Sequence, residues 1–299
     1  MSAVFWHVFI IGSIAIFVFI LTYRTIRIAS LPIHLRWELA PIPHEKDRAK
    51  YGGSYLEGYE WWRKPRKKSL TGVIKYMLVE ILLLRAIWKH NRALWPLSLA
   101  FHTGIYLVIL AVLLSIIAAL VSIGGEAPEV LPDITSVIAV IGYILGGLGA
   151  VGLILKRISD ADLRPFSSFY TYFNLLFLGA IFVTGFVSWL KAGSLAAEMS
   201  LVIKQTLTLD STISISFPLS LHVSLSLVFL IYLPMTNMIH FIAKYFTYHE
   251  IRWDDKPQDR KMTEEIRGLM EQPVGWSSSH IRGEEKKNWG DTSTGHEKT

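Results

Sequence analysis

The stretch Arg85–Leu110, RAIWKHNRALWPLSLAFHTGIYLVIL, passes from a basic, tryptophan-bearing segment into a long apolar run, with His90 at the mouth of the run and His102 in its body. About 20 apolar residues in a helix cross the ~30 Å hydrocarbon layer of a membrane. The run from about 94 to 122 is longer than that, and four further runs occupy about 4–22, 134–155, 170–190 and 216–243. The spacing predicts an all-α membrane protein, a five-helix transmembrane bundle. Ionisable groups inside a bilayer are costly and rare, so histidines there need a reason. The puzzle repeats in Ser220–Phe246, SLHVSLSLVFLIYLPMTNMIHFIAKYF, which puts His222 and His240 in the last run.

Composition agrees with this reading. Hydrophobic residues make up 52% of the 299-residue chain and charged ones 18%, a balance that a water-soluble domain of this size would struggle to cover with polar surface. The charges are segregated as well, with no Lys or Arg between Ala93 and Leu155. The first run reads as a span and not as a cleaved signal peptide, because no basic residue precedes it and Tyr23, Arg24 and Arg27 follow as a stop-transfer flank. The absence of cysteine excludes a thiolate-held iron-sulfur cluster, a covalently attached c-type haem and a disulfide. No glycine-rich phosphate loop, dinucleotide fingerprint or H-E-x-x-H motif is present, and the small residues of GYILGGLGAVG, 142–152, read as a close helix-packing face.

Basic residues set the expected orientation. Arg24–Arg92 holds 15 Lys or Arg, and the link KRISDADLRP, 156–165, holds three. The opposite links, GGEAPEVLPD at 124–133 and the region 191–217, hold none and two. By the positive-inside rule the N-terminus lies outside, the C-terminus is cytoplasmic and the span count is odd. This predicts a multi-pass protein of the cytoplasmic membrane, with a five-span domain over 1–243 and a polar cytoplasmic tail over 244–299. Within the cytoplasmic loop 23–93, residues 70–92 carry Lys75, Glu80, Arg85 and Lys89 among aliphatic residues at helical spacing, as an interfacial helix does. The tail suits a docking segment for a partner subunit and is too poor in aliphatic residues for a core of its own.

Each histidine alone could bond to a neighbouring helix, line a proton path or sit at headgroup level. Two pairs on two spans point further. With alternating span direction, His90 lies near the inner face with His240, and His102 and His222 lie further out. A neutral imidazole is a good axial ligand for haem iron, and one from each of two facing helices holds a six-coordinate haem b without covalent attachment. Two haems at two depths form an electron path across the membrane. Along straight helices, however, twelve residues rise about 18 Å and eighteen about 27 Å, and the twelve-residue step leaves His90 and His102 about 120° apart. Helix tilt, a bend at Pro96 or Pro234, or ligation at different heights on the macrocycle would absorb the difference of about 9 Å. Two rival readings are a transporter that relays protons or a metal through the four histidines, and a membrane anchor with no redox role. The first predicts acidic groups and helices broken at Gly or Pro at mid-membrane, and none of the five span cores holds Asp or Glu.

Five spans, an outer N-terminus, and a histidine pair on the second span and on the fifth, the latter two eighteen residues apart, resemble the gamma-subunit family of respiratory nitrate reductase. The segments HFIAKYFTYHEIRWDD, 240–255, and VGWSSSHIRGEEKKNWGDTS, 274–293, are similar to those of its DsrM branch, the membrane cytochrome of the DsrMKJOP complex of sulfate-reducing organisms, and of heterodisulfide-reductase-linked cytochromes. The resemblance implies two haem b groups, an inner one on His90 and His240 and an outer one on His102 and His222. It implies an electron-transfer subunit of a quinone-dependent oxidoreductase complex in anaerobic respiration, exchanging electrons between menaquinone and a cytoplasmic iron-sulfur subunit of heterodisulfide-reductase type. Further membrane and extracytoplasmic redox subunits and the lipid bilayer are its other implied partners, and nucleic acid is not among them. The nitrate-reductase branch uses a lysine at the outer start of the third span for quinone, whereas GGEAPEVLPD has no basic residue there. His249 reads as interfacial or partner-facing, His7 as interfacial, and His34, His44, His280 and His296 lie in polar segments. If the tail docks a partner, deleting residues from about Pro273 onward is expected to release the partner on co-purification and to leave the haem spectrum unchanged.

Overall fold

A computed structural model describes residues 2–30, 59, 70–125, 128–192, 194–251, 260–274 and 288–294. His34, His44, His280 and His296 lie outside the described residues, as does most of the basic loop between the first span and residue 70. Among the described residues the regular structure is helical, in the order α1 (Ala3–Ala29), α2 (Leu70–Leu83), α3 (Arg85–His90), α4 (Trp95–Gly124), α5 (Val130–Ser159), α6 (Phe169–Lys191), α7 (Leu195–Leu207), α8 (Phe217–Tyr232), α9 (His240–Ile251), α10 (Arg260–Met270) and α11 (Trp289–Thr294). Five helical stretches are long and apolar enough to cross a membrane: α1, α4, α5, α6 and Phe217–Met235. The chain is therefore a multi-pass membrane protein. It divides into two compact units, Met1–Thr22 with Met77–Met238, and Tyr23–Tyr76 with Ile239–Thr299.

In the first unit α5 is the most buried span and α1 the least. Helix α5 packs against α4 and α6, α6 packs against α8, and α7 packs against α4 and α5. The glycines of α5 explain its position. A Cβ on Gly149 would stand 2.5 Å from the Phe101 amide nitrogen, one on Gly104 would collide with the Gly146 backbone, and one on Gly142 would meet Leu107 and Val108 of α4. On its other side, Gly146 accommodates the Phe182 ring of α6. Lipid tails are as apolar as leucine, so helices gain little by hiding leucine from lipid and gain instead from close backbone approach at small residues. The large aliphatic residues Ile109, Leu113, Ile117 and Leu120 of α4, and Leu148, Val151 and Leu155 of α5, accordingly remain exposed on the outside of the bundle.

Two expected elements differ. The helix expected over 70–92 breaks at Leu84, whose φ of 49° lies in the left-handed region. The carboxylate of Glu80 is buried and accepts from the Ala86 amide at 3.2 Å, so it serves a backbone donor that the break leaves unpaired in the first turn of α3. Trp95 Nε1 donates to Leu83 O at 2.8 Å and the Tyr106 hydroxyl to Ile81 O at 2.9 Å, which bonds the carbonyl end of α2 to α4. The last run, expected to be continuous over 216–243, ends as α-helix at Tyr232 and passes through 3-10 turns at Leu233–Met235 and Asn237–Ile239 before α9. Pro234 in the first turn has no amide hydrogen with which to continue the ladder.

Helix α7 occupies the link 191–217, where no element was expected. Ser194 caps it by accepting from the Ala197 amide, Ser136 of α5 accepts from the Ala196 amide at 3.2 Å, and Lys204 Nζ donates to Ser122 O at the end of α4 at 2.8 Å. In the second unit the tail contains a helix pair. An isolated bridge joins Pro273 to Asn288, and Trp289 N donates to Gln272 O at 3.1 Å, which links the end of α10 to the start of α11. Gly149→Val is expected to destabilise the bundle by about 1–3 kcal/mol, the usual cost of overpacking. Gly12→Ala, which meets no atom within 4 Å, is expected to be tolerated. Thermal unfolding in detergent compares the two.

Candidate functional site

Packing between the helices sets the depth of each histidine. Phe101 faces Gly149, Gly104 faces Gly146, and Leu107 with Val108 faces Gly142. Antiparallel register therefore places Tyr143 level with Leu107. On the next seam Phe182 meets Gly146, and Gly185 lies under both the Tyr143 and the His222 rings, with a Cβ 2.5 Å from Tyr143 and 2.9 Å from His222 Cε1. Helices α5, α6 and α8 thus converge on one buried level.

At that level the hydrogen bonds have a direction. The Thr184 hydroxyl lies 2.9 Å from Ala180 O and 3.1 Å from Ile181 O, and its single proton is used on that backbone. Its oxygen, 3.3 Å from His222 Nδ1, must then accept, so Nδ1 carries the ring proton. Nε2 of His222 is left with a lone pair, which accepts from the Tyr143 hydroxyl at 3.2 Å. The result is a chain from Tyr143 O–H through the imidazole of His222 to Thr184 and the α6 carbonyls, spanning three helices. His222 is only 4% exposed, and the Tyr143 ring meets it edge-on at a centroid distance of 5.4 Å. A buried imidazole with both nitrogens bonded avoids the penalty of an unsatisfied polar group in an apolar environment.

His102 reaches the same tautomer by a different route. Its Nδ1 donates to the carbonyl of Ser98, one turn back on α4, at 2.7 Å, because a carbonyl can only accept. The lone pair is again on Nε2. Phe101 and Tyr106 flank the ring. By the register above, the His102 ring stands four to five residues of α4 away from the level of His222, roughly 6–7 Å at the α-helical rise. His7 has the opposite tautomer: Nε2 donates to Asp210 O at 2.9 Å, and Nδ1 is buried without a hydrogen-bond partner. That bond pins the first turns of α1 to the turn after α7, where the hydroxyl and amide of Thr212 hold the Asp210 carboxyl below the ordinary range.

His90 ends α3 and is exposed. Its helix stops because the Asn91 side chain accepts from the Leu94 amide at 3.0 Å, and Pro96 then starts α4 in a new direction. Trp88 packs edge-on to Trp95, with the Arg92 guanidinium 3.9 Å from the Trp88 ring centre. His240 opens α9 in the second unit, and the backbone of His249 lies further along the same helix. The straight-helix rises of about 18 and about 27 Å therefore apply to neither pair, since a helix break falls between the two members of each. The structure brings His222 together with two partners that sequence reading missed, Tyr143 and Thr184. Among the described residues, no group of three or more His, Cys, Asp or Glu is placed to hold a metal ion. A scan against protein-family models, a search of curated proteins and a search of solved structures each found no match to this chain.

His7→Ala is expected to destabilise the first unit by about 1 kcal/mol through loss of one partly buried hydrogen bond. His7→Gln, whose amide can still donate to Asp210 O, is expected to recover part of that loss. Thermal unfolding in detergent reads both.

Proposed function

We propose that this chain is a dihaem b subunit of the cytoplasmic membrane that exchanges electrons between menaquinone and a cytoplasmic iron-sulfur partner. The observation that supports it most is the shared tautomer of the two span histidines. His102 and His222 each commit Nδ1–H to a protein oxygen and present the lone pair on Nε2. Metal-ligating histidines are oriented in this way, with the distal N–H held by a carbonyl or another outer-shell acceptor. Such nitrogens can hold haem iron without the covalent thioether attachment that a chain lacking cysteine cannot make.

The donor chemistry suits haem iron, and the levels of the two rings set a condition. For both to serve one iron, the Tyr143 hydroxyl would have to leave His222 Nε2 and the two rings would have to come to one level. Bound haem would supply one-electron transfer, with His102 and His222 as the residues that would hold it. The chain's own residues do the rest. Ser98 O and Thr184 Oγ1 hold the ring protons, the glycine seams hold the depths, and the apolar span faces exclude water. The inner haem on His90 and His240, the outer N-terminus, and docking through the tail rest on sequence spacing and charge distribution.

One observation favours a second reading, a membrane anchor with no redox role: both nitrogens of His222 already have protein partners. The optical spectrum of the purified protein separates the two readings. Reduced α-bands of haem b near two equivalents per chain are expected, and a colourless, folded protein would refute the proposal. Single alanine variants then test the pairing. His102→Ala and His222→Ala are expected to lose the same haem, with the other haem still reduced by dithionite but no longer by a quinol analogue. His90→Ala and His240→Ala are expected to keep quinol reduction of the outer haem and to block onward transfer.

A further inference from the structure

We infer that Tyr143 and Thr184 act on His222 in opposite senses: Thr184 fixes the imidazole as an Nε2 ligand, and Tyr143 caps that nitrogen until an iron replaces it. The inference rests on the haem reading above and adds to it two positioning residues that neither sequence spacing nor resemblance singled out.

The geometry carries both parts. Thr184 Oγ1 is bonded to Ala180 O and Ile181 O of its own helix, so its hydrogen has no second role and its oxygen faces His222 Nδ1 at 3.3 Å. The imidazole proton is thereby held on Nδ1, and Nε2 keeps its lone pair. Replacing Thr184 by Val, of similar shape, removes the hydroxyl acceptor and leaves the ring proton to the Ile181 carbonyl alone, which loosens the hold on the ring. Tyr143 lies on the other side of the ring. Its hydroxyl occupies Nε2 at 3.2 Å, and a single lone pair cannot serve a hydroxyl and an iron together. In the haem-free chain this cap satisfies a nitrogen that would otherwise be buried and unpaired. In the loaded chain the hydroxyl must be elsewhere. The absence of a side chain at Gly185 lets both rings pack against α6, since a Cβ there would collide with each.

The signs follow. Loss of Thr184 weakens haem binding, and loss of the Tyr143 hydroxyl strengthens it while destabilising the haem-free protein. The test uses the full chain purified in detergent from haem-deficient cells and titrated with haem b, with absorbance, haem-free melting temperature and the midpoint potential of the loaded protein as readouts. Thr184→Val is expected to weaken binding by about tenfold or more, in line with outer-shell substitutions at other metal sites, and to shift the midpoint potential. Thr184→Ser, which keeps the hydroxyl, is expected to restore both. Tyr143→Phe is expected to bind haem roughly two- to tenfold more tightly, as loss of one competing hydrogen bond implies, and to melt at a lower temperature when haem-free. Wild-type-like binding in both Thr184→Val and Tyr143→Phe, with the wild type loading normally, would overturn this inference alone. Weaker binding in Tyr143→Phe would overturn the capping role. A folded wild type that takes up no haem would overturn the haem reading and this inference with it.

Discussion

Close approach of α4 and α5 is the constraint on which the rest of the first unit depends. In lipid there is no solvent-driven reward for hiding one leucine against another, so a stable helix pair needs many short contacts between backbones. The glycines at 104, 142, 146, 149 and 152 supply them: a Cβ at any of these would meet the facing helix or a ring lodged against it. This seam fixes the relative height of α4 and α5 to within a fraction of a turn. Every depth assigned to His102, Tyr143 and His222 is measured from it.

The same low-dielectric setting explains why the polar groups between the spans form directed chains. With no bulk water in the hydrocarbon layer, a buried donor or acceptor must be satisfied by the protein. Tyr143, His222 and Thr184 satisfy one another and end on the carbonyls of α6. A second network nearer the other end of α6 works similarly: the Tyr232 hydroxyl donates to Asn174, which donates to Asn237. That network ties the 3-10 turns after α8 to α6, so the break in the last span is held in place by side chains as well as permitted by Pro234.

A helix break falls between the two members of each histidine pair, so straight-rod spacing describes neither. Twelve residues between His90 and His102 and eighteen between His222 and His240 cannot be matched on straight rods. Asn91 and Pro96 turn the chain between the first two, and the 3-10 turns at 233–235 and 237–239 interrupt it between the second two. Local capping chemistry, not a supercoil or a gentle bend, decides where each member of a pair lies.

Hydrophobic run length determined the five spans from the sequence alone, because a bilayer demands about 20 apolar residues per crossing whatever their neighbours are. The tight packing of GYILGGLGAVG was legible for a similar reason, since few roles other than close approach use five glycines in an apolar helix. Helix α7 was half legible: its apolar positions Leu195, Met199 and Val202 recur at helical spacing, but the run is too short to cross a membrane and only its bonds to Ser136 and Ser122 show where it packs. The left-handed Leu84 could not be foreseen, because a leucine there is paid for by tertiary contacts from Glu80, Trp95 and Tyr106. The four histidines stood out in the sequence by residue type. Which nitrogen His222 presents, and that Tyr143 and Thr184 hold it, was decided by tertiary structure: residues 79 and 38 positions away along the chain meet it only when α5, α6 and α8 converge.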